Sequence, residues 1–192
     1  MNFNIDIILS ICLGIGLAAS SGFRVFVPLF GLSLAGFFGI LPLNEDWQWV
    51  ASLPALIILG VASVVESLSY LIPIVDNALD SIAVPLAGIA GTLVMASTLA
   101  DLSPAMTWAL AIVAGGGAAT VVKGTSATGR AISTATTGGV ANPAISLAET
   151  GTAVGLSALS IFMPVVASIA VLIAVVVLIW IVAKLKKRKA NQ

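Results

Sequence analysis

The ionisable residues that could do chemistry in this chain are few: eight Lys or Arg, eight Asp or Glu, and no His among 192 residues. Without imidazole, the usual zinc and haem ligands and the base of a Ser-His-Asp triad are missing. The one cysteine, Cys12, stands in an apolar run, so it can neither close a disulfide within the chain nor build a thiolate cluster. No catalytic residue, metal or cofactor is expected. Carboxylate or lysine chemistry is the one conventional route left to an enzyme, and an intramembrane carboxylate enzyme ranks last among the readings.

Two places concentrate polar groups. The first joins Glu66, Tyr70, Pro73, Asp76 and Asp80. Glu66 falls late in an apolar run, and Asp76 and Asp80 share a helix face at four-residue spacing. An acid within a membrane span is costly and therefore a functional candidate. Such carboxylates could coordinate a cation or shuttle protons, and they could equally pair with Arg24 and Arg130. The second place runs from Gly115 to Pro143 and is rich in glycine and hydroxyls; seven of the thirteen residues from Thr125 to Thr137 are Ser or Thr. If it is helical, Lys123 and Arg130 stand on one face with Thr120, Ala127 and Thr134, a basic stripe suited to a small anion or lipid phosphate. It is no P-loop, because Val122 precedes Lys123 where glycine is required. Its composition predicts a broken or re-entrant segment around 124–143 lining a wet cavity, with a flexible cytoplasmic loop as the alternative. The candidate substrate- or ion-binding residues are thus Arg24, Glu66, Asp76, Asp80, Lys123, Arg130, Asn142 and Glu149.

The elements that must position these residues follow from composition. At 59% hydrophobic, 8% charged and a mean hydropathy of +1.16, the chain cannot clothe a soluble fold. Charge-poor runs cover 5–22, 25–43, 48–71, 82–100, 104–122, 144–160 and 161–183. At about 20 residues per crossing these make about seven spans, with six or eight also compatible. The expected fold is an all-α polytopic membrane helix bundle: one transmembrane domain over 1–183, with halves 1–100 and 104–183, and a basic tail over 184–192. The first run is kept as a span because its only early charge is Asp6, whereas a secretory signal is preceded by a basic residue.

Lys184, Lys186, Lys187, Arg188 and Lys189 crowd the end of the last run and predict a cytoplasmic C-terminus. Threading seven spans then puts the N-terminus outside with Asp6, Glu45, Asp46 and Asp101, and puts Arg24, Asp76, Asp80, Lys123 and Arg130 inside. The tail lacks the aromatic company of a nucleic-acid patch, so its expected partner is anionic lipid. Trp47, Trp49 and Trp108 suit an interfacial belt. Two rows of small residues, Ala83-Ala87-Gly91 and Gly151-Gly155, suit close helix approach.

An internal echo frames the charges. Ala19-Ser-Ser-Gly-Phe-Arg24 resembles Ser126-Ala-Thr-Gly-Arg130, and Pro73 before Asp80 resembles Pro143 before Glu149. This pattern suggests an internal duplication, a common feature of membrane proteins that move solutes. Ser21-Gly-Phe-Arg24, Ile72-Pro-Ile-Val-Asp76-Asn-Ala-Leu-Asp80, Pro85-Leu-Ala-Gly88 and Ala141-Asn-Pro143-Ala-Ile-Ser-Leu-Ala-Glu149 together resemble the bacterial membrane proteins grouped as domain-of-unknown-function family 4126. The resemblance covers nearly the whole chain and implies an integral membrane protein without an established activity; the inner membrane is the expected location. In that pattern a second acid often follows the glutamate, whereas Thr150 stands here, so a two-carboxylate role does not carry over. The leading functional expectation is a small-solute or ion transporter or channel, homo-oligomeric, with a charged, hydroxyl-lined cavity. The alternative is a non-transporting lipid-binding or assembly factor whose buried charges are structural ion pairs.

Overall fold

The computed structural model describes residues 5–99 and 102–190, and their side chains except at 73, 74, 76, 77, 81, 181–183 and 185–190. Asp101, the side chain of Asp76 and the cationic side chains beyond Lys184 thus lie outside the described residues.

Every regular element described is helical: α1 (Ile5–Phe23), α2 (Phe26–Phe37), a 3₁₀ turn (Glu45–Ala51), α3 (Leu53–Ser69), α4 (Pro73–Thr98), α5 (Pro104–Leu110), a π-helical stretch (Ala111–Gly116), α6 (Gly117–Thr137), α7 (Asn142–Phe162) and α8 (Pro164–Ala190). Proline opens α3, α4, α5, α7 and α8 in their first turns. There its missing N–H would have had no partner anyway and its fixed φ already suits a helix.

Three helical stretches are long and apolar enough to cross a membrane: Ile5–Phe23, the 34 residues Pro104–Thr137, and Asn142–Phe162. A fourth arises if the 3₁₀ turn and α3, bent by 65°, form one broken span. The apolar parts of α2, α4 and α8 (Phe26–Phe37, Ile82–Thr98 and Pro164–Trp180) are shorter. At 12 residues α2 reaches only about 18 Å. The chain is a helical membrane bundle whose runs are helical where expected, although several are too short to cross alone.

The segment around 124–143 departs from expectation. It is neither broken nor re-entrant through Thr137, since α6 runs straight on from the π-helical stretch. The hydroxyls that suggested a break are satisfied locally: Thr125, Thr128, Thr136 and Thr137 donate to the carbonyls of Val121, Gly124, Ile132 and Ser133, one turn back. The interruption is confined to 138–141, where Gly138 (φ 63°) and Gly139 (φ 86°) take the left-handed conformation that ends a helix.

Packing centres on α1, which touches α4, α6, α7 and α8. Leu13 and Leu17 of α1 join Leu32, Val50 and Val94 in one apolar core. Ser20 donates to the Ala153 carbonyl and bonds Ser157, both at 2.8 Å, tying α1 to α7 by small polar residues. Ala83 and Ala87 are buried, and Gly91 of the same row faces the π-helical stretch and α6, where a Cβ on it would stand 2.6 Å from the Gly115 carbonyl oxygen. The Gly151-Gly155 row behaves otherwise: a Cβ on either glycine meets nothing within 4 Å. At one end of the bundle Asn44 ties its loop to the end of α4, donating from Nδ2 to the Leu99 carbonyl (3.1 Å) and from its N–H to that of Ser97 (3.3 Å). Arg24, Asp80, Lys123, Arg130 and Glu149 gather at the other end.

Candidate functional site

Arg24 follows α1 at the break before α2, and its side chain is fully buried. A guanidinium has five N–H donors, and Arg24 makes four hydrogen bonds and one ion pair. Nε donates to Thr150 Oγ1 (2.9 Å). Nη2 donates to the Ser146 carbonyl (2.9 Å) and hydroxyl (2.7 Å). Nη1 faces the Phe23 carbonyl (3.4 Å) and Glu149 Oε2 (3.2 Å).

Glu149, on the second turn of α7, is the shared anion. Besides Arg24 it accepts from Arg130 through both Nε (3.1 Å) and Nη2, and from the Ser126 hydroxyl. The bidentate fork is the strong geometry for a buried carboxylate. Residues expected to share an α6 face only if the segment were helical do so: Lys123 and Arg130 are both 2% exposed and both turn inward.

Their common neighbour is Tyr70, just past the C-terminus of α3. Arg24, Lys123 and Arg130 lie 4.1, 4.7 and 4.6 Å from its ring centroid. Lys123 also donates to the Tyr70 hydroxyl (3.2 Å) and pairs with Asp80 at 3.6 Å. An aromatic ring at the centre of three cations offers each the negative face of its quadrupole where water is excluded. Tyr70→Phe removes only the hydroxyl bond and should cost about 1 kcal/mol. Tyr70→Leu removes a contact worth about 0.5–2 kcal/mol to each cation. Melting in detergent should therefore show the Leu variant clearly less stable than the Phe variant; equal loss would mean that the hydroxyl alone matters.

Glu66 plays a different part. Its carboxylate accepts the Val25 N–H (2.8 Å) and the Phe26 N–H (2.9 Å), capping α2 from 41 residues away. No side chain adjacent to α2 caps it, and an anion at a helix N-terminus meets both the free N–H groups and the helix dipole. Asn142 is buried beside the α6–α7 turn, where its Nδ2 donates to Thr134 Oγ1 (3.1 Å).

Of the eight expected residues, Arg24, Lys123, Arg130, Asp80 and Glu149 form the cluster at Tyr70, Glu66 and Asn142 serve helix ends, and the Asp76 side chain is outside the described residues. Ser126, Ser146, Thr150 and the central role of Tyr70 are additions from the structure. Two of the three pairs cross between the echoing stretches, Arg24 with Glu149 and Lys123 with Asp80, while Arg130 and Glu149 both belong to the second.

A cavity of about 650 Å³ lies beside the cluster, between α1, α6, α7 and α8. Glu149, Ser126, Thr125 and Thr152 bring polarity to an otherwise apolar lining; Arg24, Lys123 and Arg130 are not among its lining residues.

Fold and site together define a multi-pass helical membrane protein built around a closed, buried cluster of charges. Residues 11–184 match the model of the family described as a domain of unknown function, DUF4126, and the chain belongs to that family. Comparison with curated proteins and with solved structures finds no match.

Proposed function

We propose that this is a non-conducting protein of the bacterial inner membrane, a lipid-binding or assembly factor, whose charge cluster locks four helices and their connections into one arrangement. The enclosure of Arg24 carries this reading: its side chain is fully buried and held by four hydrogen bonds and the ion pair to Glu149, which leaves no open face for a passing anion. The N-terminus outside and the C-terminus in the cytoplasm belong to the same proposal. Arg24, Lys123 and Arg130 share one end of the bundle, and the positive-inside bias assigns that end, with the basic tail, to the cytoplasm. Association of copies is proposed as well.

A specific observation favours a second reading, a small-solute or ion transporter: Glu149 belongs both to the ion network and to the cavity wall, so one carboxylate could couple the two. Flux through proteoliposomes decides between them. Purified protein should leave K⁺, Na⁺, H⁺ and Cl⁻ permeability at the level of empty vesicles. A conductance that Glu149→Gln abolishes would overturn the proposal in favour of transport.

A further inference from the structure

We infer that the cavity between α6, α7 and α8 is a slot for one acyl chain of an anionic phospholipid. The inference deepens the lipid-binding reading and rests on it for the ligand class.

Val121, Gly129, Gly155 and Ala174 line the slot and are exposed, so it opens sideways from the bundle. An apolar void does not hold ordered water, and the medium outside this surface is hydrocarbon. The volume of about 650 Å³ is within the usual range for a bound small molecule.

Its length is equally telling. Ile145 lines the slot one turn beyond the polar level, and from Glu149 the α7 wall runs on to Leu159, about 15 Å at the helical rise. That is half of the roughly 30 Å hydrocarbon core, the depth of a single leaflet. A second helix would need a trough along the whole bundle; a lipid tail needs only this.

The polar end fixes which leaflet. Ser126 and Glu149 are bonded to each other, so α6 and α7 bring them to one level, toward the 138–141 turn. On α8 the lining ends at Leu178. Immediately beyond stand Trp180, 61% exposed, and Lys184, whose Nζ lies 4.7 Å over the indole. A Trp–Lys pair with an apolar body and a wet tip marks the headgroup level. An acyl chain filling the slot therefore puts its ester region at the level of Ser126 and Thr152, whose hydroxyl protons go to Glu149 and to the Ala148 carbonyl, and its phosphate beside the basic tail that begins at Lys184. Glu149 does not repel that phosphate, because two guanidiniums neutralise it. The charge of the tail favours an anionic headgroup over a zwitterionic one.

Gly155 and Gly129 provide the test, since a Cβ on either meets nothing within 4 Å and a side chain there grows into the slot without disturbing the helices. The full chain is purified in mild detergent, and retained phospholipid is counted by native mass spectrometry before and after incubation with phosphatidylglycerol or phosphatidylcholine vesicles. Wild type should keep one phosphatidylglycerol per chain and discriminate against phosphatidylcholine. Gly155→Phe and, independently, Gly129→Leu should lose it while melting as cooperatively as wild type. No retained lipid in wild type, equal retention in both variants, or equal retention of the two lipids would overturn the inference. So would a change of oligomeric state in Gly155→Phe with lipid still bound, which would assign the slot to a second copy. An empty slot leaves the non-conducting reading standing, whereas ion flux from lipid-loaded protein would overturn that reading and leave the slot intact.

Discussion

Glu149→Gln should be the most damaging charge replacement in the protein. Glutamine keeps the shape of the side chain but not its charge, so Arg24 and Arg130 are left buried at 0% and 2% exposure without their shared anion. Removing one partner of a buried pair typically costs about 3–5 kcal/mol, because both guanidiniums lose their shared counterion where water cannot replace it. Arg24→Gln should cost less, since Glu149 keeps its bidentate bond from Arg130 and its hydroxyl bond from Ser126. The double variant should be less destabilised than the sum of the two, the signature of residues that share one network. Melting of the three variants in one detergent measures all of this. A Glu149→Gln protein that melts with the wild type would show that the cluster does not hold the bundle together.

Gly91→Ala and Gly115→Ala should each destabilise by an amount out of proportion to one methyl group. A Cβ on Gly91 would lie 2.6 Å from the Gly115 carbonyl oxygen and 2.5 Å from Ala119 Cβ; one on Gly115 would lie 2.6 Å from the Gly91 oxygen and 2.7 Å from Met95 Cβ. The obstacle in both cases is backbone, which cannot rotate away, so α4 and the π-helical stretch must separate. Overpacking of this kind costs about 1–3 kcal/mol, and a backbone obstacle on both sides argues for the upper part of that range. Gly117→Ala is the control. Its Cβ meets nothing within 4 Å, and trading glycine for alanine in a helix should stabilise it by about 0.5–1 kcal/mol. Urea or thermal unfolding in detergent ranks the three variants, and equal stability of Gly91→Ala and Gly117→Ala would mean that the helices are free to part.

Both expectations depend on facts of different origin. Composition alone determined that the chain lives among lipid, because 16 charged side chains cannot clothe a soluble surface. Proline determined most of the helix starts, since its ring fits a first turn and little else in a helix. Helical periodicity determined that Lys123 and Arg130 share a face, seven residues being close to two turns. The cost of a lone charge in a low-dielectric interior determined that the buried cations and acids would meet.

Which charge meets which was decided only by the tertiary structure. Arg24 and the Ser146 it binds are 122 residues apart, and nothing in a local pattern encodes such a pairing. Tyr70 looked like one more polar residue near a helix end until three elements brought their cations around its ring. Glu66 looked like a membrane-buried acid in search of a ligand, yet its partners are two backbone N–H groups of another helix. In the hydroxyl-rich stretch Thr125, Thr128, Thr136 and Thr137 find acceptors one turn back along their own helix, so the break falls only at 138–141, while Ser126 reaches Glu149 of another helix. Sequence periodicity reports what a residue's own element does with it, and the partners of buried polar groups are fixed by elements that periodicity cannot see.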